Sequence, residues 1–216
     1  MSEAQGKGLI TPAAEWILDN HHLVDESARH LRRNLSPRSY RDLTAVELSC
    51  GVGIPRVLAI AWRYVSVVNS DFAADSMREF VDGYQECHIL DIREVWALPT
   101  MLRFVLLENL RRLAVRIEVS RFQREQANNL ADSLADQPVA ALPATIGSYQ
   151  AEVGHDSFAA QLLYRLQEGD ATREAALRWL QEGLSGRGVT GEEVILAEQA
   201  LQSSGNVTVG NIIRSL

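Results

Sequence analysis

The stretch DIREVWALPTMLRFVLLENL, residues 91–110, decides the fold of this chain. Asp91 and Glu94 have the spacing of a capping box, in which each side chain accepts a hydrogen bond from the backbone N–H of the other residue. Apolar residues then recur three and four positions apart, which is the period of an amphipathic helix. The pattern predicts the longest helix of the chain, near residues 92–134, with a kink or an interruption at Pro99, because proline lacks a backbone N–H.

The same period and several start signals predict further helices on both sides of this stretch. Pro12 and Pro55 occupy first helical positions, and Thr172 and Thr190 are expected to act as caps. The predicted helices cover about 12–34, 55–69, 75–87, 157–168, 172–184 and 190–203, with another from Thr208. The predicted fold is therefore all-α, either a multi-helix bundle or stacked helical hairpins.

Proline and glycine divide the predicted helices into segments. Pro138, Pro143, Gly147 and Gly154 fall within 21 residues, which is typical of a linker or an irregular crossover. We therefore predict an N-terminal helical lobe over 1–135, a linker or crossover over 136–156, and a C-terminal helical segment over 157–216. That last segment is expected to be truncated, because an apolar pattern begins at Thr208 and stops after two turns.

Composition narrows the classes of function. The 216 residues carry 21 basic and 28 acidic side chains, a net charge of -7, which argues against nucleic acid as a partner. Cys50 and Cys87 form no CxxC motif, so neither a disulfide framework nor a zinc site is predicted. Apolar runs are shorter than the roughly 18 residues that would span a membrane. A cytoplasmic, soluble segment is expected.

The sequence offers no constellation of catalytic, cofactor-binding or metal-binding residues. His21 and His22 are adjacent, and neighbouring positions of a helix point about 100° apart, so the two rings cannot easily share one ion. We therefore predict no catalytic residue, no cofactor and no metal.

Polar residues inside apolar helix faces are the strongest candidates for a ligand site. Asn109 shares a helical stripe with leucines, and a buried amide must find partners. One reading is a network of hydrogen bonds between helices. The other is a cleft for a sugar, because aromatic faces combined with amides and carboxylates suit sugar rings. The candidate residues for either reading are Trp16, Asn20, Trp62, Trp96, Glu108 and Asn109.

Four blocks of sequence, in order, are similar to the cyclic β-1,2-glucan synthase family. They are LITPAAEWILDNHHLV (9–24), GIPRVLAIAW (53–62), IREVWALP (92–99) and LLENLRRLA (106–114), and VTVGN (207–211) also resembles the family. Residues 39–44 depart from it, since they lack a paired aromatic and a proline. The resemblance therefore identifies a fragment or a diverged relative.

The resemblance implies a place for the chain in a larger protein. Members of the family are membrane-bound bacterial glycosyltransferases that polymerise glucose from UDP-glucose and cyclise the product. The motifs of that chemistry, such as Asp-x-Asp and Gln-x-x-Arg-Trp, do not occur here. The resemblance thus implies the N-terminal cytoplasmic region, at the inner membrane, with the remaining membrane and glycosyltransferase domains of the polypeptide as its partner.

Three functions are compatible with these observations. The leading one is a non-catalytic cytoplasmic domain with an assembly or regulatory role in a glycosyltransferase. The first alternative is a module that binds a carbohydrate, such as glucan, or a nucleotide-sugar. The second alternative is a homo-oligomerisation or scaffold domain.

Overall fold

The computed structural model describes residues 11–47, 51, 53–134, 137–167 and 171–216. The described residues are predominantly helical, which confirms the all-α prediction. The α-helices are α1 (Pro12–Asp19), α2 (His21–Asn34), α3 (Pro37–Arg41), α4 (Arg56–Val67), α5 (Ala74–Gln85), α6 (Ile92–Ser133), α7 (Leu142–Gly147), α8 (Asp156–Arg165), α9 (Ala171–Gly186) and α10 (Gly191–Ser215). None of the helices among these residues is long and apolar enough to cross a bilayer.

The chain packs into two compact units. The first unit comprises Pro12–Ala114 and Gly205–Leu216, and the second unit contains Val115–Ser204. Helices α6 and α10 each contribute residues to both units. This grouping differs from the segments 1–135, 136–156 and 157–216, which remain a prediction about domain organisation.

The first unit buries one face of α4 and one face of α6. On α4 the buried face carries Val57, Ala61, Tyr64 and Val65, and on α6 it runs from Leu98 to Leu113. The hydroxyl of the buried Tyr64 donates a hydrogen bond to the Ala73 carbonyl at 3.0 Å, so this polar group has a partner at the edge of the core. The capping box that begins α6 is confirmed. Glu94 N–H donates to Asp91 Oδ1 at 2.9 Å, and Asp91 N–H donates to Glu94 Oε2 at 2.8 Å.

The second unit has a core built from the C-terminal half of α6 and the helices that follow it. Leu130, Phe158, Leu162 and Leu180 are fully buried there. The segment that was predicted as a linker or crossover contains α7 and two 3₁₀ turns, Val139–Ala141 and Glu152–Gly154, and its residues Leu142 and Val153 belong to this core.

Three predicted boundaries are wrong. Helix α6 is not interrupted at Pro99, because the buried Leu98 and Met101 anchor it on both sides of the proline. A kink at Pro99 stays a prediction. Helix α10 continues through the positions where one helix was expected to end and another to begin at Thr208. The predicted first helix, in contrast, divides into α1 and α2 at Asn20, whose side-chain amide donates to the Trp16 carbonyl.

Thr172 and Thr190 were both predicted to cap helices, and only Thr190 does so. Thr190 caps α10, since its Oγ1 accepts from Glu193 N–H at 3.2 Å and Glu193 Oε2 accepts from Thr190 N–H at 2.8 Å. Thr172 is the second residue of α9 and instead donates its hydroxyl to the Gln137 carbonyl at 2.8 Å. The residue type alone did not distinguish a cap from a tertiary hydrogen bond.

A small antiparallel hairpin was not predicted. Strands β1 (Ala45–Glu47) and β2 (Gly53–Pro55) pair with Val46 opposite Ile54. Strands of three residues are too short to show an alternating pattern, and the pair contacts the start of α4.

Candidate functional site

The candidate amide Asn109 bonds to a turn at the end of α4. Its Nδ2 donates to Ser70 Oγ at 3.0 Å, and both residues line a cavity of about 190 Å³ together with Trp62 and Asn69. Asn109 is half-buried and Ser70 is buried. Residues Asn69–Ser70 form what we call the α4–α5 turn. The hydrogen-bond partner that the Asn109 amide requires is therefore a serine of this turn.

The α4–α5 turn has an unusual backbone. Asn69 and Ser70 have φ values of 49° and 62°, in the left-handed region that residues other than glycine seldom adopt. Such a conformation costs on the order of 1–3 kcal/mol for each residue, and it persists only where the surroundings hold it. The turn is therefore a place where the first unit stores strain.

Helix α10 supplies much of what holds this turn. Thr208 Oγ1 donates to Asn69 Oδ1 at 2.9 Å, Asn211 Nδ2 donates to the Asn69 carbonyl at 3.1 Å, and Ser215 Oγ donates to the Ser70 carbonyl at 3.1 Å. All these residues belong to the first unit. The hydrogen bonds from α6 and α10 therefore add to local ones, such as that from Ser70 N–H to the Val65 carbonyl at 2.9 Å, in holding the strained turn.

Trp62 and Glu108 share a partner in Arg112. The Arg112 guanidinium carbon lies 4.6 Å from the centroid of the Trp62 ring, which is a cation–π geometry. Arg111 and Arg112 both donate to the Glu108 carboxylate, and these hydrogen bonds lower the pKa of Glu108 to about 2. Arg112 therefore covers a face of Trp62 that the sugar-cleft reading would have left for a ligand.

The other candidate residues line different grooves of the first unit. Trp16 and Asn20 line one of about 460 Å³ beside Gly210 and Arg214. Trp96 lines another, of about 550 Å³, with residues of α2 and α3. The structure thus brings Trp62, Glu108 and Asn109 close to one another, and it places Trp16 with Asn20 and Trp96 elsewhere.

A buried ion pair was missed by the sequence analysis. Glu94 has no exposed surface, and its two carboxylate oxygens accept from Arg56 Nε at 3.0 Å and from Arg56 Nη2. Burial alone would raise the pKa of Glu94, but the bonds from Arg56 and from the Asp91 N–H outweigh it and lower the pKa. A signal was present, because Glu94 shares the helical stripe of Leu98 and Met101.

The second unit contains a buried carboxylate that was also missed. Glu198 Oε1 accepts from Ser120 Oγ at 3.1 Å and from Arg124 Nη1 at 3.4 Å, and Oε2 accepts from Ser157 Oγ at 2.9 Å. Burial lowers the pKa of Arg124, although Glu198 opposes that effect. The cluster links α6, α8 and α10 within this unit, and it has the form of a packing network.

Metal-binding residues do not cluster in the described ranges: no group of three His, Cys, Asp or Glu side chains could hold an ion there. His21 and His22 have their ring centroids 6.1 Å apart at an interplanar angle of 89°. Cys87 is exposed and free, whereas Cys50 lies outside the described residues.

Comparison with known proteins confirms the resemblance that the sequence blocks indicated. Over 217 aligned residues the chain is 45% identical to the cyclic β-(1,2)-glucan synthase NdvB of Rhizobium meliloti (strain 1021). The alignment covers 100% of this chain and 8% of that synthase. No protein-family model matches the chain.

Proposed function

Since this chain is similar over its whole length to a part of a cyclic β-1,2-glucan synthase, we propose that it is a non-catalytic domain of a membrane-bound glycosyltransferase of that kind. Its proposed role is assembly or regulation of the enzyme. Its proposed partner is the remainder of the same polypeptide, including membrane and glycosyltransferase domains. Its proposed place is the N-terminal region, on the cytoplasmic side of the bacterial inner membrane.

The observation that carries this proposal is the position of the family-like blocks. From Pro12 onward, residues of all five blocks lie in the first unit. Arg56 of the second block pairs with Glu94 of the third, and Trp62 of the second packs under Arg112 of the fourth. Residues of different family-like blocks therefore contact one another within one compact unit.

The charged groups in these contacts support a role in assembly of the enzyme rather than in catalysis. The guanidinium of Arg56 and the carboxylate of Glu94 are joined by two hydrogen bonds inside the protein. Glu108 is bound by two arginines, and a carboxylate with a pKa of about 2 is a poor proton acceptor near neutral pH. Groups engaged in this way hold a fold together and offer little to a reacting substrate.

Self-association is a second candidate role. Val115, Val119 and Phe122 are each about half exposed, and their spacing places them on one face of α6. Analytical ultracentrifugation across a hundredfold range of concentration tests this idea. A sedimentation coefficient that rises with concentration supports it, and a constant monomer value contradicts it.

The non-catalytic assignment is tested with the purified chain and UDP-glucose. We expect neither release of UDP nor transfer of radiolabelled glucose to an acceptor above the rate of a heat-denatured control. Turnover that tracks the folded protein through gel filtration would contradict the proposal.

A further inference from the structure

The groove beside Trp96 has the size of a ligand site. It encloses about 550 Å³ between the end of α2, the α3 region and the first turns of α6, and small-molecule sites commonly have roughly 300–1,000 Å³. Its residues all belong to the first unit. The groove is thus a defined feature of one compact body.

Trp96 offers an open aromatic surface to this groove. Its side chain is 74% exposed, while Leu98 and Met101 on the same helix are buried. A single exposed apolar residue needs no special explanation. The rest of the groove wall combines polar side chains with Leu35, Leu43, Ala97 and Met101, and an aromatic plane beside polar groups suits a sugar ring.

Acceptors and donors with spare capacity stand around Trp96. Asn34 uses its Nδ2 on the His30 carbonyl, which leaves its Oδ1 as an acceptor. The Asp42 carboxylate has a charged neighbour only in Arg38, at 4.0 Å, within the described part of the chain. Arg93 spends one nitrogen on Asp91 at 3.3 Å and retains other N–H groups. These groups match the mixed donors and acceptors of sugar hydroxyls.

We infer that the Trp96 groove binds a neutral gluco-oligosaccharide, with a glucose ring stacked on the indole and its hydroxyls bonded to Asn34, Asp42 and Arg93. The groove does not favour a nucleotide-sugar, because the Asp42 carboxylate offsets the attraction of Arg93 for its phosphates. The site goes beyond the proposed assembly role. The choice of a β-1,2-glucan as the ligand rests on that proposed function.

This assignment moves the sugar site away from the cleft that the sequence suggested. Arg112 covers Trp62, and Trp16 packs closely against Gly210. Trp96 is the most exposed large apolar side chain of its helix. Among the candidate tryptophans, its side chain is the most exposed, at 74% against 48% for Trp16.

The test is a ¹⁵N-NMR titration of the full chain with linear β-1,2-gluco-oligosaccharides, read at the indole N–H of Trp96. The signal is assigned by its absence in Trp96→Ala. We expect it to shift with saturation at millimolar ligand. Calorimetry should show at least tenfold weaker binding for Trp96→Ala and for Asp42→Leu. The matched control is Ile92→Ala, because Ile92 is 61% exposed on the same helix and does not line the groove.

Several results would overturn the assignment. They are an unmoved Trp96 signal at millimolar oligosaccharide, a shift caused by UDP-glucose alone, and equal losses in Trp96→Ala and Ile92→Ala. Self-association that both variants abolish, without any effect of oligosaccharide, would show a protein-docking surface instead. None of these results alters the expected absence of UDP-glucose turnover, so the two proposals fail separately.

Discussion

Glu94 illustrates what a buried charge requires of its neighbours. Its carboxylate has no contact with water, and it is compensated by two hydrogen bonds from Arg56 and one from the Asp91 backbone. Removing one member of such a pair leaves the other as an uncompensated charge. The stability of the first unit should therefore depend strongly on this one side chain.

The substitution Glu94→Gln should lower the free energy of unfolding by about 1.5–3 kcal/mol, the range for hydrogen bonds to a charged group, because the Arg56 side chain is 17% exposed and its charge stays partly hydrated. Urea denaturation followed by circular dichroism measures it. The control is Glu118→Gln, which removes an exposed pair with Arg121 on the same helix and should leave the midpoint unchanged. Equal effects of the two substitutions would contradict the assigned burial.

Glu108 should give the chain a defined response to acid. Its pKa is lowered from 4.5 to about 2 by Arg111 and Arg112. The ionised carboxylate therefore contributes fully to the free energy of unfolding above pH 4.5, and this contribution is lost as the pH falls toward 2. The urea midpoints of the wild type and Glu108→Gln should differ at pH 6 and converge as the pH approaches 2. A difference that stays constant with pH would show that Glu108 is not held in this way.

At the residue scale, the sequence predicted that Asn109 needs a partner but could not identify it. The partner is Ser70, which reaches Asn109 from a turn with positive φ. Asn69 is a residue type that can end a helix in the left-handed conformation, but the sequence does not show that α10, from nearly 140 positions later in the chain, also binds this turn. Contacts of that range are beyond any local pattern.

At the element scale, two helices cross residues that usually end a helix. Helix α6 passes Pro99, and α10 passes Gly205 and Gly210. Start signals predicted the beginnings of both helices well, since the Asp91 and Thr190 caps are in place. The break signals failed at Pro99 and Gly210 because buried residues on both sides hold the helix, whereas the residues just before Gly205 are exposed and the helix continues there without such packing.

Tertiary packing requires a glycine at position 210 but not at position 205. A Cβ atom at Gly210 would overlap the Trp16 ring, whereas a Cβ at Gly205 would meet nothing within 4 Å. Gly205→Ala should stabilise the chain by about 1 kcal/mol, from helix propensity alone. Gly210→Ala should destabilise it, because the Trp16 ring must move away.

Thermal unfolding of the two alanine variants tests this difference directly. The melting temperature should rise for Gly205→Ala and fall for Gly210→Ala. If Gly210→Ala were as stabilising as Gly205→Ala, Trp16 would not be packed on α10.

At the scale of the whole molecule, the resemblance seen in five short blocks extends along the entire chain at 45% identity. From Pro12 onward, these blocks are separate in sequence but belong to the same compact unit. Helical periodicity predicted the class of fold, but it could not predict the two units or the grooves, which arise from contacts between distant helices. The candidate tryptophans were found by residue type, and only tertiary packing shows that Trp96 is the most exposed of them.

The most direct test of the proposed assembly role replaces the matching segment of the R. meliloti synthase with this chain, with and without Glu94→Gln. The measurement is glucan produced per molecule of synthase in the membrane. We predict that Glu94→Gln lowers the amount of synthase while the product per molecule stays constant. A synthase that accumulates normally and makes no glucan would contradict the account, because the segment would then act in the reaction itself.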